Sequence, residues 1–153
     1  MLKSFNEKNL DNALRCLKNP DYKIALKSLP SDVLHMLLYW QNLSFGRFAD
    51  DAEKVVEAIR KMPPTSKIMI AWRCGKIIGN KAVSASFDRT VAKKFQVQYK
   101  ERIHCIVLLN GCRFLPTVFV NEVLLGSYHE DPELEILLDV SRLKWCMGVY
   151  VYI

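Results

Sequence analysis

Two adjacent prolines, Pro63 and Pro64, divide the chain where its hydrophobic period changes. A proline lacks the amide that a helix interior needs and fixes φ, so the pair ends whatever helix precedes it. Upstream of them, apolar residues recur three and four apart. Leu10, Ala13, Leu14 and Leu17 make a helical stripe that stops before Pro20, and a shorter helical segment from Asp21 to Leu29 stops before Pro30. Ser31 can cap a third helix whose Val33, Met36, Leu37 and Trp40 face a core. Asp50 or Asp51 can cap a fourth, with Ala52, Val55, Val56, Ile59 and Met62 on its apolar side.

Downstream of the prolines the period becomes two. Ile68, Ile70 and Trp72 alternate with Met69, Ala71 and Arg73, and Val83, Ala85 and Phe87 alternate with Ser84 and Ser86. Asp88 then reads as the cap of a helix that turns Val91, Ala92, Phe95 and Tyr99 inward. Strands are expected at Ile103 to Leu109, Thr117 to Val120, Leu134 to Val140 and Lys144 to Ile153, with a turn-rich loop from Leu125 to Pro132. Helices followed by strands is an α+β order. It predicts an N-terminal helical layer, about residues 1–64, on a mainly antiparallel β core, about 65–153, with 1–153 as one domain.

Composition narrows the class of function. Half the residues are hydrophobic and a quarter charged, which argues against long disorder. No apolar run approaches a membrane span, and Met1 to Lys8 lacks the apolar core of a signal peptide. The expectation is a soluble protein, cytoplasmic or inside a host cell, monomeric and without a membrane partner. The five cysteines are odd in number and contain no Cys-x-x-Cys pair, so neither a disulfide framework nor a zinc site is indicated. His35, His104 and His129 also lack ligand spacing, and no metal is expected. The net charge of +6 comes from lysines and arginines spread along the chain, a pattern that serves solubility and does not single out nucleic acid as a partner.

Three groups of polar residues interrupt this β-rich half. Arg73 ends a core-facing strand, with Gly75 just after it. Ser84 and Ser86 share one face of a strand that runs into a capped helix. Glu133 and Glu135, two apart at the start of another strand, point the same way, and two like charges on one surface suit work on something cationic.

In that order, Trp72-Arg73-Cys74-Gly75, Ser84-Ala85-Ser86 and Glu133-Leu134-Glu135 resemble the Arg-Ser-Glu branch of the mono-ADP-ribosyltransferases, whose marks are aromatic-Arg-Gly, Ser-Thr-Ser and Gln/Glu-x-Glu. The resemblance spans roughly residues 50 to 150. Two departures stand out: Cys74 separates Arg73 from the glycine, and Ala85 replaces the threonine, removing a hydroxyl that supports the family's site.

The resemblance implies an NAD-dependent enzyme that transfers ADP-ribose to a protein and releases nicotinamide, with NAD as co-substrate. By the same resemblance Glu135 holds the ribose, Ser84 orients Glu135, and Arg73, with Gly75, Ser84 and Ser86, binds the dinucleotide. Glu133 receives the acceptor, for which Glu-x-Glu implies arginine, and Tyr128 is the aromatic of the substrate-recognition turn. The alternatives are an NAD glycohydrolase using the same residues and a silent nucleotide- or partner-binding domain of the same fold.

Overall fold

The computed structural model describes residues 2–40, 49–126 and 134–153. Helices α1 (Phe5–Leu17), α2 (Asp21–Lys27), α3 (Ser31–Trp40) and α4 (Ala49–Arg60) come first. After them come β1 (Met69–Cys74), β2 (Ala82–Ser86), α5 (Arg89–Tyr99), β3 (Ile103–Leu108), β4 (Leu115–Pro116) and α6 (Val118–Leu125). Strands β5 (Glu135–Asp139), β6 (Leu143–Cys146) and β7 (Val149–Tyr152) complete the order. The class is α+β. The sheet runs β4-β5-β2-β1-β3-β7-β6, and its neighbours are antiparallel except for the β3–β7 pair.

Local chemistry sets most boundaries. Ser4 accepts a hydrogen bond from the Glu7 amide and starts α1. The buried stripe of α1 is Asn9, Ala13 and Leu17, four apart, whereas Leu14 is largely exposed, so the face turns slightly from the one the apolar pattern alone suggests. At α3 the carbonyl of Pro30 accepts from the Val33 and Leu34 amides, which makes Ser31 the first helical residue instead of the cap. Helix α4 likewise begins at Ala49, putting Asp50 and Asp51 inside its first turn.

Two further expectations are overturned. Thr117 to Val120 does not form a strand. Pro116 offers no amide to continue a ladder, so β4 stops there, and Val118–Leu125 becomes a helix that packs against α2 and α3. Burial on several sides outweighs the β preference of its valines, and Gly126, at φ 71°, closes the helix. In α5 only the first turn turns inward as expected. Asp88 accepts from the Thr90 amide at 2.9 Å and Val91 and Ala92 are buried, but Phe95 and Tyr99 are exposed and stack on each other at 6.2 Å. After Ala92, residues 93–100 are all exposed.

One buried cluster joins the two halves. Tyr22, Leu26, Leu37, Ile59 and Met62 from the helices meet Ala71, Val83, Phe87, Ile106 and Leu137 from the sheet. Phe114 links them, stacked on Tyr22 and edge-on to Phe87 with ring centroids 5.5 Å apart in each case. All five cysteines are free, and among the described residues no helix is long and apolar enough to cross a membrane.

Candidate active site

Strands β1, β2 and β5 lie side by side, and their register decides which polar residues meet. Ser86 is opposite Trp72 on one side and opposite Glu135 on the other. Opposed residues of an antiparallel ladder share a face, so Trp72, Ser86 and Glu135 form a row across three strands. Direct partners have Cβ atoms about 5 Å apart and diagonal ones about 7–8 Å. Ser84, opposite Leu137, is therefore a diagonal neighbour of Glu135, and Ser86 is the direct one.

Arg73 starts on the other face of β1, since it follows Trp72, yet its guanidinium reaches back between the strands. Nη1 donates to the Ser84 carbonyl at 2.9 Å and to Ser84 Oγ at 3.4 Å, while Nε donates to the Lys76 carbonyl at 2.9 Å. The side chain thus fastens the turn after β1 to the middle of β2. Only 8% of Arg73 is exposed. Burial pushes its guanidinium down to about 10, with Cys74 and the Glu135 carboxylate opposing that shift, so the group stays charged at neutral pH.

Gly75 sits at φ 111°, a conformation that L side chains avoid, and its amide donates to the Arg102 carbonyl at 3.0 Å. A Cβ there would stand 3.9 Å from Arg73 Nη2, an ordinary contact, so backbone conformation and not lack of room calls for glycine. Cys74 ends β1 with its thiol toward the Glu101 carbonyl, and burial pushes its pKa up. Ala85 lies in the core on the face away from Ser84 and Ser86. A threonine there would carry its hydroxyl into that core, so the substitution takes no hydroxyl from the row.

Glu135 is half-buried and opens β5. The residue before it, Leu134, has φ 44°, a left-handed conformation that costs a non-glycine residue about 1 kcal/mol or more. Its carbonyl accepts from the Phe87 amide at 3.4 Å. The Glu135 carbonyl accepts from the Thr117 amide at 3.1 Å and from Thr117 Oγ1 at 3.3 Å. The main chain under the carboxylate is thereby tied to Phe87, just after β2, and to Thr117, just before α6. Tyr128 and Glu133 lie outside the described residues.

Two residues that motif reading does not reach help to build this region, Thr117 and Asn9. Asn9, 6% exposed, sends Oδ1 to accept from the Ile70 amide at 2.8 Å. Its Nδ2 donates to the Ile70 carbonyl at 2.8 Å and the Phe87 carbonyl at 3.0 Å. The amide bridges β1 and β2 just beyond their Trp72–Ser86 pairing. The sequence signal is a polar residue four positions before Ala13 on an otherwise apolar stripe. Near it, Phe5 meets Trp72 edge-on at 6.4 Å. Among the described residues no group of three or more His, Cys, Asp or Glu is placed to hold a metal.

A carboxylate set beside two hydroxyls and a guanidinium that is charged at neutral pH can steady a developing cation while holding an anionic group nearby. No protein-family model matches the chain, and no curated protein matches it. Among solved structures the chain is similar to the crystal structure of ADP-ribosyltransferase Vis in complex with agmatine, at 13% identity and a TM-score of 0.34, with 99% of this chain and 85% of that chain covered.

Proposed function

We propose that this chain is an NAD-dependent mono-ADP-ribosyltransferase of the Arg-Ser-Glu kind, transferring ADP-ribose to arginine side chains of an acceptor protein and releasing nicotinamide. The observation that carries the reading is the register of three strands, in which Glu135 faces Ser86 directly and Ser84 diagonally while the Arg73 guanidinium reaches Ser84 from the opposite side. In the proposed reaction the bond between nicotinamide and ribose C1 breaks, and its electron pair leaves with nicotinamide. The sugar becomes cationic, as in glycoside hydrolysis. Glu135 stabilises that charge and holds the ribose hydroxyl, Ser84 and Ser86 fix its orientation, and Arg73, beside Gly75, attracts the diphosphate.

The acceptor nitrogen then bonds to C1 and loses a proton. A guanidinium stays protonated at neutral pH, so it needs both attraction and a base, and Glu133 is the carboxylate assigned to both tasks. Tyr128 is assigned to contact with the acceptor. The test is labelled NAD with agmatine or an arginine-rich peptide, run on the wild type and on Glu133→Gln, followed by mapping of the modified group. Labelled arginine in the wild type, lost in Glu133→Gln while slow NAD hydrolysis persists, is the expected result. Undiminished arginine labelling by the variant, or wild-type modification at another residue type, would overturn the arginine assignment.

A further inference from the structure

Past its first turn, helix α5 carries a surface of lysines and apolar side chains. Between Asp88 and Glu101 the chain has no carboxylate, while Arg89, Lys93, Lys94 and Lys100 are positive. Among the described residues no ion pair involves Lys93, Lys94 or Lys100. Burial, then the charges of Arg102 and Arg73, push the His104 pKa down, so the positive field at the end of this stretch reaches β3. Apolar groups stand among the lysines. Val97 is 82% exposed and Tyr99 59%, and Phe95, at 36%, stacks on Tyr99. A surface helix turns such residues to its inner face, so three of them left in water within two turns mark a surface that gains by being covered.

Charge and arrangement decide what covers it. The absence of carboxylates calls for an acidic occupant. On a helical projection Phe95 and Tyr99 share one side of α5, whereas Val97 stands on the opposite side between Lys93 and Lys100. A lipid surface needs one apolar face, which this helix lacks. Nucleic acid stacks its bases on free ring faces, whereas Phe95 and Tyr99 each spend a face on the other. An acidic protein segment with apolar side chains of its own meets both sides of the helix, its carboxylates on the lysines and its apolar groups on the rings and Val97.

Helix α5 also starts beside the proposed site. Asp88, its cap, donates its amide to Ser86 Oγ at 3.0 Å, and Ser86 is opposite Glu135. At 1.5 Å per residue, Lys93 to Tyr99 lie about 6–15 Å along the helix from Arg89, a span that about six extended residues cover. We propose that Lys93, Lys94 and Lys100, with Phe95, Val97 and Tyr99, form a docking surface for an acidic segment of the acceptor protein. The inference deepens the transferase reading and rests on it for the role of the partner, which is held by its acidic segment while an arginine nearby in its chain reaches Glu135.

The probes are two peptides with one central arginine, flanked about six residues away on both sides by Asp, Glu and Leu in the first and by Gln and Leu in the second. Their binding to the whole chain without NAD is followed by fluorescence anisotropy. The proteins are the wild type, a triple Lys93→Gln, Lys94→Gln, Lys100→Gln variant and a double Phe95→Ala, Tyr99→Ala variant, all changed at exposed positions. The acidic peptide should bind the wild type about tenfold tighter than the neutral one and lose that advantage in the triple variant and at high salt. The double variant should weaken it by about threefold or more. In turnover, both variants should raise KM for the acidic peptide and leave kcat and KM for agmatine unchanged. Equal affinity for the two peptides, or for the acidic peptide in all three proteins, overturns the docking surface. Phosphatidylglycerol vesicles or a thymidine oligonucleotide bound more tightly than the acidic peptide, and lost in the same variants, overturn the acidic protein segment as its occupant. Acidic-peptide binding with the expected variant pattern, in a protein that releases no nicotinamide from NAD, supports the surface and removes the transferase reading.

Discussion

Arg73 shows how one side chain can join fold and chemistry. Two of its nitrogens are committed to main-chain carbonyls, of Lys76 and Ser84, so the charge that would attract a diphosphate also closes the β1–β2 turn. Lysine in its place has one compact ammonium that cannot span both carbonyls. Arg73→Lys should therefore cost about 1–3 kcal/mol of stability as well as NAD affinity. Urea unfolding measures the first and calorimetry the second; equal stability would mean that the carbonyls find other partners. His104 yields a pH prediction. Its folded-state pKa lies below the ordinary value of 6.5, so between the two values the unfolded chain binds more protons and stability falls as the solution is acidified. Unfolding midpoints at about pH 8 and about pH 5.5 should differ more for the wild type than for His104→Gln. An equal difference in the two proteins would exclude His104 as a source of the acid sensitivity. At this scale the polar strand residues Arg73, Ser84, Ser86 and Glu135 are legible in the sequence, because an alternating pattern shows which polar groups share a face of one strand. What it cannot show is register. That Ser86 and not Ser84 stands directly across from Glu135 depends on how β2 and β5 slide past each other.

Among the elements, α1 and α6 hold the proposed site from outside the motifs. Asn9 of α1 serves Ile70 and Phe87 as a neighbouring strand would, and Phe87 in turn donates its amide to Leu134, next to Glu135. Asn9→Ala would leave these buried main-chain groups without partners, at about 1–3 kcal/mol. Hydrogen exchange should then quicken at the Ile70 amide first, and unchanged protection there would contradict the bridge. Thr117, the residue just before α6, fastens the Glu135 carbonyl of β5. The sequence hides this because Thr-Val-Phe-Val reads as a strand, and only the layer of α2 and α3 makes a buried helix the better outcome. The capped start of α5 is legible at Asp88, but the exposure of its later turns is not, since Phe95 and Tyr99 have the spacing of a buried stripe.

Taken whole, the chain is a helical layer over a largely antiparallel sheet, and the α+β order follows from the change of period at Pro63-Pro64. The middle of the sheet brings together residues far apart in sequence, Arg73, Ser84, Ser86 and Glu135. Whether that meeting cleaves NAD depends most on the carboxylate. Glu135→Gln keeps the size of the side chain and removes the charge that would face the developing sugar cation. The direct test is the rate of nicotinamide release from NAD by the wild type and by a Glu135→Gln protein with an unchanged unfolding midpoint. The account predicts turnover by the wild type and a loss of about 10² to 10⁴ in the variant. Equal rates in the two proteins, or no release of nicotinamide by the wild type, would contradict it.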